Sequence, residues 1–420
     1  MTTDAAPPPA EPGPPRLVRR LGVADAVVVG LGAMVGAGVF AAFGPAARAA
    51  GSGVTAALAV AAVVAYCNAT SSARLAARHP ESGGTYVYGR ERLGPFWGYL
   101  AGWSFVAGKT ASCAAMALTV GQYAWPGQRR AIAVAAVVAL TAVNCLGVRK
   151  AAWLTRLIVS VTLAVLAAAV TVCLTSGSAD AGRLGWDGDT SAWGLLQAAG
   201  LLFFAFAGYA RIATLGEEVK DPARTIPRAI PIALAITLAV YVAVAVALLA
   251  TLGPGPLARS AAPLADAVRA AGASGLVPVV RTGAAVAALG SLLALILGVS
   301  RTTLAMSRDH HLPPALAALH RGNPVRAELA VGAAVTLLTV TTDLRGAIGF
   351  SSFGVLLYYG IANASALRLT PAEGRPPLIV PVTGLCGCAA LAVSLPTAAV
   401  LAGLGVTAAG AVAYVARRGQ

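Results

Sequence analysis

Two glycine-containing stretches and one lysine stand out in this 420-residue sequence because their types and spacing could do chemistry inside an apolar chain. The stretch VVVGLGAMVGAGVF (27–40) has four glycines in an otherwise aliphatic run: Gly30, Gly32, Gly36 and Gly38. In one interpretation they form a small-residue stripe against which another helix packs closely, and Gly32 and Gly36 have the required spacing. In the other, the helix is interrupted around 32–38 and its freed backbone groups line a cavity, since irregular backbone survives in a membrane only there.

A second interrupted segment lies five predicted membrane segments further along the chain. In LLFFAFAGYARIATLGEEVKDPARTIP (201–227), an aromatic apolar half is followed by Gly208 and then by a half that carries Arg211. Interrupted helices at matching positions of two inverted five-helix repeats point to a binding site at the membrane midplane. Positive helix N-termini favour a carboxylate and freed carbonyls favour an ammonium group, so the pair predicts a site for a zwitterion.

Lys109 lies about 14 residues from either end of the third apolar segment, which is roughly 21 Å of helix and too far for its side chain to reach an interface. An intramembrane lysine is a candidate functional residue. All 16 acidic residues fall in tails, in loops or at segment ends. Lys109 must therefore be neutral, be held by carbonyl dipoles or face an anionic ligand group. Burial disfavours a charged amine, so reversible protonation is reasonable, and the alternative is a structural lysine that caps the carbonyls of a broken helix.

Other chemistries find little support. Three histidines share one predicted loop and are interpreted as ordinary polar residues, since no carboxylate or cysteine completes a metal-binding set: His310, His311 and His320. The sequence contains no nucleophile–base–acid set and no phosphate-binding loop. We therefore expect no enzyme activity, no metal and no cofactor. A proton is the possible coupling ion. Sodium is less expected, although Ser291 in the eighth segment could offer it an oxygen.

The elements that must position these residues are membrane helices. The chain is 58% hydrophobic and 11% charged, with a mean hydropathy of +0.76, whereas a soluble domain carries roughly 25% charged residues. A spanning helix needs about 20 apolar residues. Twelve spans are predicted from eight runs free of Asp, Glu, Lys and Arg, from a segment interrupted only by Lys109 (93–128), from the short 329–342, and from a run divided at Pro396 (376–416). The eight runs are 26–47, 49–73, 131–148, 157–179, 190–210, 229–258, 282–300 and 346–367.

The distribution of basic residues predicts the orientation. With the N-terminus in the cytoplasm, 22 of the 31 Lys and Arg residues fall on the cytoplasmic side, 8 fall on the opposite side and Lys109 lies within a span. By the positive-inside rule both termini are therefore predicted to be cytoplasmic. The Pro-rich residues 1–20 are predicted to be a disordered tail. Because the positive charge is spread over short loops, we expect no nucleic-acid partner.

The same stretches carry a family resemblance. GLGAMVGAGVF resembles the first-helix motif of the amino acid–polyamine–organocation (APC) superfamily, and GEEVKDPARTIPRAI (216–230) resembles the loop after the sixth helix of those permeases. ESGGTYVYGRERLGPFWGYLAGW (81–103) and AMSRDHHLPPALAALH (305–320) resemble the loops after the second and eighth helices. The four stretches lie in order across about three quarters of the chain. The resemblance implies the LeuT-type architecture, in which two inverted five-helix repeats are followed by two further helices.

The resemblance also implies site residues. The backbone of Met34, Val35, Ala37 and Gly38 would hold a substrate carboxylate. The backbone around Phe204, Ala205, Ala207 and Gly208 would accept hydrogen bonds from an ammonium group, with Phe206 and Tyr209 near the side chain. Independently of the resemblance, the neighbouring opposite charges after the sixth helix, among them Glu217, Glu218 and Arg224, predict a cytoplasmic charge network that is part of an inner gate.

The chain departs from the family at two coupling positions. Some proton-coupled relatives place a lysine on the fifth helix, where this sequence has Thr162. Members with a carboxylate just after the sixth-helix break have Ala210 or Arg211 here instead. Lys109 is therefore a candidate replacement for the fifth-helix lysine, with Ser291 as a second coupling candidate.

The sequence thus predicts an all-α polytopic membrane protein with twelve transmembrane helices, of which helices 1 and 6 are broken. The predicted parts are a tail (1–20), a first repeat (21–180), a second repeat (181–372), and two final helices with a short tail (373–420). The predicted function is secondary active transport of an amino acid across the cytoplasmic membrane, coupled to protons or by exchange. The alternative is an amino-acid-binding receptor of the same fold. Lys109 and Arg211 disfavour a cationic substrate, and the oligomeric state is left open.

Overall fold

The computed structural model describes residues 21–79, 83–147, 152–185, 190–213, 218–320 and 322–418. Within these ranges the protein is all-α, and its β-structure consists of two isolated bridges. The helices are α1 (Val23–Met34), α2 (Ala37–Ala41), α3 (Phe43–Ala50), α4 (Val54–Arg78), α5 (Thr85–Leu93), α6 (Pro95–Ala124), α7 (Arg129–Cys145), α8 (Ala152–Thr175), α9 (Ala192–Phe206), α10 (Ala210–Ala213), α11 (Pro222–Leu252), α12 (Pro254–Arg259), α13 (Pro263–Ala270), α14 (Val277–Arg308), α15 (Val325–Thr341), α16 (Leu344–Leu367), α17 (Ile379–Ser394) and α18 (Thr397–Arg418).

Helices occupy every predicted membrane segment, and the all-α polytopic prediction is confirmed. Nine helical segments in the described ranges are long and apolar enough to cross a membrane. The remaining predicted crossings correspond to α6, to the 17-residue α15 and to the 16-residue α17. The total of twelve crossings, the inverted repeats and the four predicted parts of the chain stay predictions.

The third segment, α6, lies at the centre of the helix packing and carries Lys109 at its middle. It packs against α16 and α14, while α16 also contacts α4 and α17. Small residues allow this close approach. A Cβ added at Gly108 would lie 3.2 Å from the Cα of Gly354 in α16. The central helices are thereby held in direct backbone contact around the lysine.

Loops that the charge distribution assigns to one side of the membrane contact one another. The Leu21 amide donates to the Glu218 carbonyl at 3.1 Å, and the Lys220 amide donates to the Leu21 carbonyl at 2.9 Å. On the same side, the Arg92 guanidinium lies 2.6 Å from the Glu373 carboxylate, and Arg417 donates to the His310 carbonyl at 3.1 Å. The residues that follow the N-terminal tail, the inner loops and the C-terminal helix therefore share one face.

Candidate functional site at two helix breaks

The first predicted helix break is present between α1 and α2. Helix α1 ends at Met34, and Val35 leaves helical geometry with φ −81° and ψ 52°. Gly36 follows with φ −113° and ψ −135°, and helical structure resumes at Ala37. The break lies inside the predicted range of 32–38, with its freed backbone groups in the buried interior of the helix bundle.

The glycines around this break also serve close packing, so both interpretations of the motif hold together. A Cβ added at Gly36 would lie 2.1 Å from Ser291 Oγ in α14, and one added at Gly38 would lie 2.7 Å from the Cα of Ala205 in α9. Conversely, a Cβ added at Gly208 would lie 2.4 Å from the carbonyl oxygen of Ala33. The two interrupted segments therefore touch through backbone, and Gly38 and Gly208 permit the contact.

The second break is a change of helix type. Helix α9 ends at Phe206, a 3₁₀ turn covers Ala207–Tyr209, and α10 begins at Ala210. The 3₁₀ geometry changes the hydrogen-bonding pattern of the carbonyls that precede it. The interruption therefore lies at Gly208, as the sequence predicts.

Tyr241 in α11 bridges the two breaks, and sequence reasoning missed it. Its hydroxyl lies 2.7 Å from the Met34 carbonyl oxygen and 2.9 Å from that of Ala205. The side chain is fully buried, and its ring packs edge-on against Phe206 at 5.0 Å between centroids. A single O–H donates to one acceptor at a time or is shared between them. A tyrosine in the middle of a long apolar segment is the signal that could have identified it.

Lys109 contacts the second break directly. Its Nζ donates to the Ala207 carbonyl oxygen at 3.1 Å, and the Tyr359 hydroxyl of α16 donates to the same oxygen at 3.3 Å. The sequence allowed Lys109 to be neutral, to be held by carbonyl dipoles or to face an anionic ligand group. In the structure a backbone carbonyl holds it. The Tyr359 ring also stacks on Tyr209 at 4.9 Å, so the break is held by a lysine and by aromatic side chains.

Ser291 and Thr162 occupy different environments from Lys109. The Ser291 hydroxyl donates to the Gly32 carbonyl at 3.2 Å, which places it beside the last turn of α1. Thr162, at the position of the relatives' fifth-helix lysine, donates within its own helix to the Ile158 carbonyl at 2.7 Å. Thr162 therefore makes a local helix contact, whereas Lys109 connects two helices.

The structure brings the resemblance-derived site residues together in a closed region. Gly208 is half-buried, and the other nine are buried. The buried residues are Met34, Val35, Ala37, Gly38, Phe204, Ala205, Phe206, Ala207 and Tyr209. Their carbonyl groups are already used in part, since Met34, Ala205 and Ala207 each accept a hydrogen bond from a side chain. Whether they bind a substrate stays a prediction.

The described contacts of the predicted gate residues are few in kind. Glu217 lies outside the described residues. Glu218 contributes its backbone carbonyl to the bridge with Leu21, and Arg224 lies 3.6 Å from Asp221 with both side chains largely exposed. A gating role for these residues therefore stays a prediction, and the described link between Leu21 and this loop is made by backbone.

His311 is not the ordinary loop residue that we expected. Its Nδ1 lies 2.9 Å from the Tyr86 hydroxyl of α5, and its ring packs edge-on against Tyr99 at 5.2 Å between centroids. Tyr86 also hydrogen-bonds Asp309. The histidine thus joins α5 to the loop after α14, a contact between residues more than 200 positions apart that no local pattern could indicate.

Comparison with known proteins decides the family. The sequence profile of the amino acid permease family matches residues 21–415, nearly the whole chain. The chain belongs to the amino acid permease family. The resemblance to the APC superfamily is therefore confirmed, and the permease is a multi-pass membrane protein.

The relatives of the permease include an uncharacterized transporter and transporters whose names give a substrate class. An uncharacterized transporter of Mycobacterium tuberculosis is 69% identical over 407 residues, which cover 96% of this chain and 92% of that protein. The vacuolar cationic amino acid transporter 4 of Arabidopsis thaliana is 27% identical over 87% of this chain and 66% of its own. A branched-chain amino acid permease of Bacillus subtilis is 25% identical over 74% of this chain and 72% of its own.

Proposed function

We propose that the permease is a secondary active transporter that moves an amino acid across the cytoplasmic membrane by alternating access. The observation that carries the proposal is the meeting of two broken helices through backbone at Gly38–Ala205 and Gly208–Ala33. Broken helices at matching positions supply both a polar site and a point of bending. Family membership supports amino acid transport as the activity. Both termini lie on the cytoplasmic side in this proposal.

The break geometry suits a zwitterionic substrate. Backbone N–H groups at the start of α2 would face the carboxylate, and carbonyls near Ala205 and Ala207 would accept from the ammonium group. Tyr241 links Met34 to Ala205, so bending at either break would change the hydrogen bonds of both. Substrate binding at one break is thereby coupled to the position of the other.

A neutral amino acid is the proposed substrate class. Lys109 already donates to the Ala207 carbonyl, and a cationic side chain beside it would be repelled. Phe204, Phe206 and Tyr209 offer apolar and aromatic surface near the same turn. The relative named for branched-chain amino acids is named for neutral substrates and so agrees with this proposal. The relatives named for cationic amino acids do not.

Lys109 is the proposed proton-coupling residue. A substrate ammonium group that reached the Ala207 carbonyl would compete with Lys109 for it. Lys109 would then lose a partner for its charged form in a buried environment, and release of its proton would follow. Binding of substrate and deprotonation of Lys109 would thus favour each other. Uptake driven by an acid exterior follows when Lys109 takes its proton from outside and releases it inward as substrate binds.

The test is a paired assay on protein in liposomes, with exchange of labelled for unlabelled amino acid at zero gradient and uptake driven by an acid exterior. We expect the wild type to perform both. Lys109→Ala should retain exchange and lose proton-driven accumulation, and Lys109→Arg should behave the same way because arginine keeps its proton.

Two results would contradict the proposal. Equal loss of both activities in Lys109→Ala, with rescue by Lys109→Arg, would identify a structural lysine. Substrate binding by the wild type without exchange would identify a receptor. Replacing sodium by choline in the same assay should leave uptake unchanged, and dependence on sodium would make Ser291 the better coupling candidate.

A further inference from the structure

Polar side chains lie along the contact between α4 and α16, beginning beside Lys109 and the second helix break. Five residues define this polar seam: Asn68, Ser71 and Ser72 in α4, and Tyr359 and Asn363 in α16. Each is at most 3% exposed. Ser71 and Ser72 lie three and four residues after Asn68, and Asn363 lies four residues after Tyr359, so each serine is on the side of α4 that carries Asn68.

The centre of the polar seam is a pair of buried amides. Asn363 Nδ2 donates to Asn68 Oδ1 at 2.6 Å and to the Tyr359 carbonyl at 3.0 Å. The Cys388 thiol of α17 also donates to Asn68 Oδ1, at 3.4 Å. A Cβ added at Gly384 would lie 2.5 Å from Asn363 Oδ1, so the third helix also leaves room for the amide.

Four polar atoms of the seam have no hydrogen-bond partner among the described residues: Asn68 Nδ2, Asn363 Oδ1, Ser71 Oγ and Ser72 Oγ. Buried donors and acceptors of this kind are almost always satisfied, by protein or by ordered water. A donor, an acceptor and two hydroxyls are groups to which a buried water hydrogen-bonds. The seam therefore has the chemistry of a hydration site.

The polar seam lies between Lys109 and the face on which the inner loops meet. Tyr359 and Lys109 donate to the same carbonyl oxygen, that of Ala207. From Ser72, two further turns of α4, roughly 10 Å, lead to His79. His79 accepts a hydrogen bond from Arg92 at 3.3 Å, and Arg92 pairs with Glu373 on the predicted cytoplasmic face.

We propose that the polar seam binds a file of water molecules through which Lys109 exchanges its proton with the cytoplasmic side. The proposal rests on the proton-coupled transport proposed above. In each cycle the Lys109 ammonium group gives one proton to a water and keeps the electron pair. Each water in the file accepts one proton and passes one on, so one proton reaches the cytoplasm and no oxidant or other reactant is needed.

Beyond Tyr359 the route is separate from the path of the substrate. Asn68, Ser71 and Ser72 belong to a helix that contributes no residue to the two breaks, and Asn363 lies one turn beyond Tyr359. Loss of the seam hydroxyls should therefore slow proton movement while leaving amino acid exchange intact. A dry seam that only fixes the packing of α4 on α16 predicts no such separation.

The experiment replaces both hydroxyls in the double variant Ser71→Ala/Ser72→Ala. We expect proton-driven uptake to fall at least tenfold while exchange at zero gradient stays within twofold of wild type. Ser365→Ala is the matched control, because its buried hydroxyl donates to the Ile361 carbonyl at 2.8 Å in the same helix as Asn363. The control should leave both activities unchanged. Unchanged proton-driven uptake in the double variant, or an equal fall of both activities, would overturn the proposal.

A second measurement tests hydration without transport. A structure of the wild-type protein at a resolution that shows ordered water should contain water within hydrogen-bond distance of the four seam atoms. A seam without water would overturn the proposal whatever the transport result. If water is present but the wild type shows no proton-driven uptake, the coupling function fails, and with it the seam as a proton route, while its hydration stands as a separate finding.

Discussion

At the scale of single residues, backbone contacts explain why the glycines are needed. Gly38 faces the Cα of Ala205, and Gly208 faces the carbonyl of Ala33, so no side chain fits at either position without moving backbone. The same close approach brings the carbonyls of Ala205 and Ala207 beside the break in the first helix. The same glycines thus allow the close packing of the two segments and bring their carbonyl groups together.

Gly38→Ala tests this close packing. The added methyl would lie 2.7 Å from Ala205 Cα, and overpacking of this kind costs about 1–3 kcal/mol. We expect a lower unfolding temperature in detergent and a loss of exchange activity. The matched control is Gly298→Ala in α14, where an added Cβ meets no atom within 4 Å. Wild-type stability and exchange in Gly38→Ala would show that the two segments move apart without difficulty.

At the scale of helices, side-chain hydrogen bonds to backbone carbonyls hold the interrupted segments. Tyr241 of α11 joins the carbonyls of Met34 and Ala205, Ser291 of α14 joins that of Gly32, and Lys109 of α6 joins that of Ala207. Breaking a helix in a membrane leaves such carbonyls without helical partners. The neighbouring helices therefore supply the donors that make the breaks stable.

Tyr241→Phe should show the contribution of one such donor. Leaving buried carbonyls without a partner costs about 1–3 kcal/mol, so we expect a lower unfolding temperature together with slower exchange. Tyr66→Phe is the control, because Tyr66 is 52% exposed on the outer surface of α4. If Tyr241→Phe matched the control in both measurements, the bridge between the two breaks would have no energetic role.

A salt bridge between Arg92 and Glu373 joins the end of α5 to the loop that follows α16. We expect the stability of the protein to depend on this pair and to fall in acid. Hydrogen bonding from the Arg92 guanidinium, with further hydrogen bonds from Thr370, lowers the pKa of Glu373 to about 2. A carboxyl group with a lowered pKa contributes stability above its unfolded-state pKa of about 4.5 and loses it as the pH falls toward 2.

Glu373→Gln should therefore be less stable than wild type at neutral pH, and the difference should shrink on acidification below about pH 4.5. The measurement is the unfolding temperature in detergent as a function of pH. Glu91→Gln serves as the control, since Glu91 is 50% exposed at its side chain and contacts the adjacent Arg90. A constant difference between Glu373→Gln and wild type across the pH range would contradict a role for the ionised pair.

At the scale of the whole molecule, contacts among loops group the segments of one face. Leu21 bonds to the segment after α10, Arg92 bonds to the loop after α16, and Arg417 bonds to the loop after α14. The 22 basic residues counted for the cytoplasmic side include those of these loops. Charge and contact geometry thus agree on which segments lie together, and the positive-inside rule assigns that face to the cytoplasm.

Cysteine labelling tests this orientation. Single cysteines at Lys220, His310 and Arg417, each in a background without the six native cysteines, should react with a membrane-impermeant reagent only when the cytoplasmic face is accessible. Arg183, on the predicted opposite face, is the matched position and should react from outside. Labelling of any of the first three positions from outside would contradict the predicted topology.

The sequence by itself determined the membrane class, the positions of the helices, both breaks and the burial of Lys109. These are local properties, because the length of an apolar run, a glycine cluster and a buried charge are visible within about 20 residues. It also indicated the family, because four motifs lie in order along the chain.

Only the tertiary structure decided the partners. Lys109 and Ala207 are 98 positions apart and Tyr241 and Met34 are 207 apart, and Asn68 meets Asn363 across 295 positions. Which carbonyl a buried donor reaches depends on how helices cross and rotate. That geometry is set by side-chain packing over the whole bundle, which no single stretch of sequence contains.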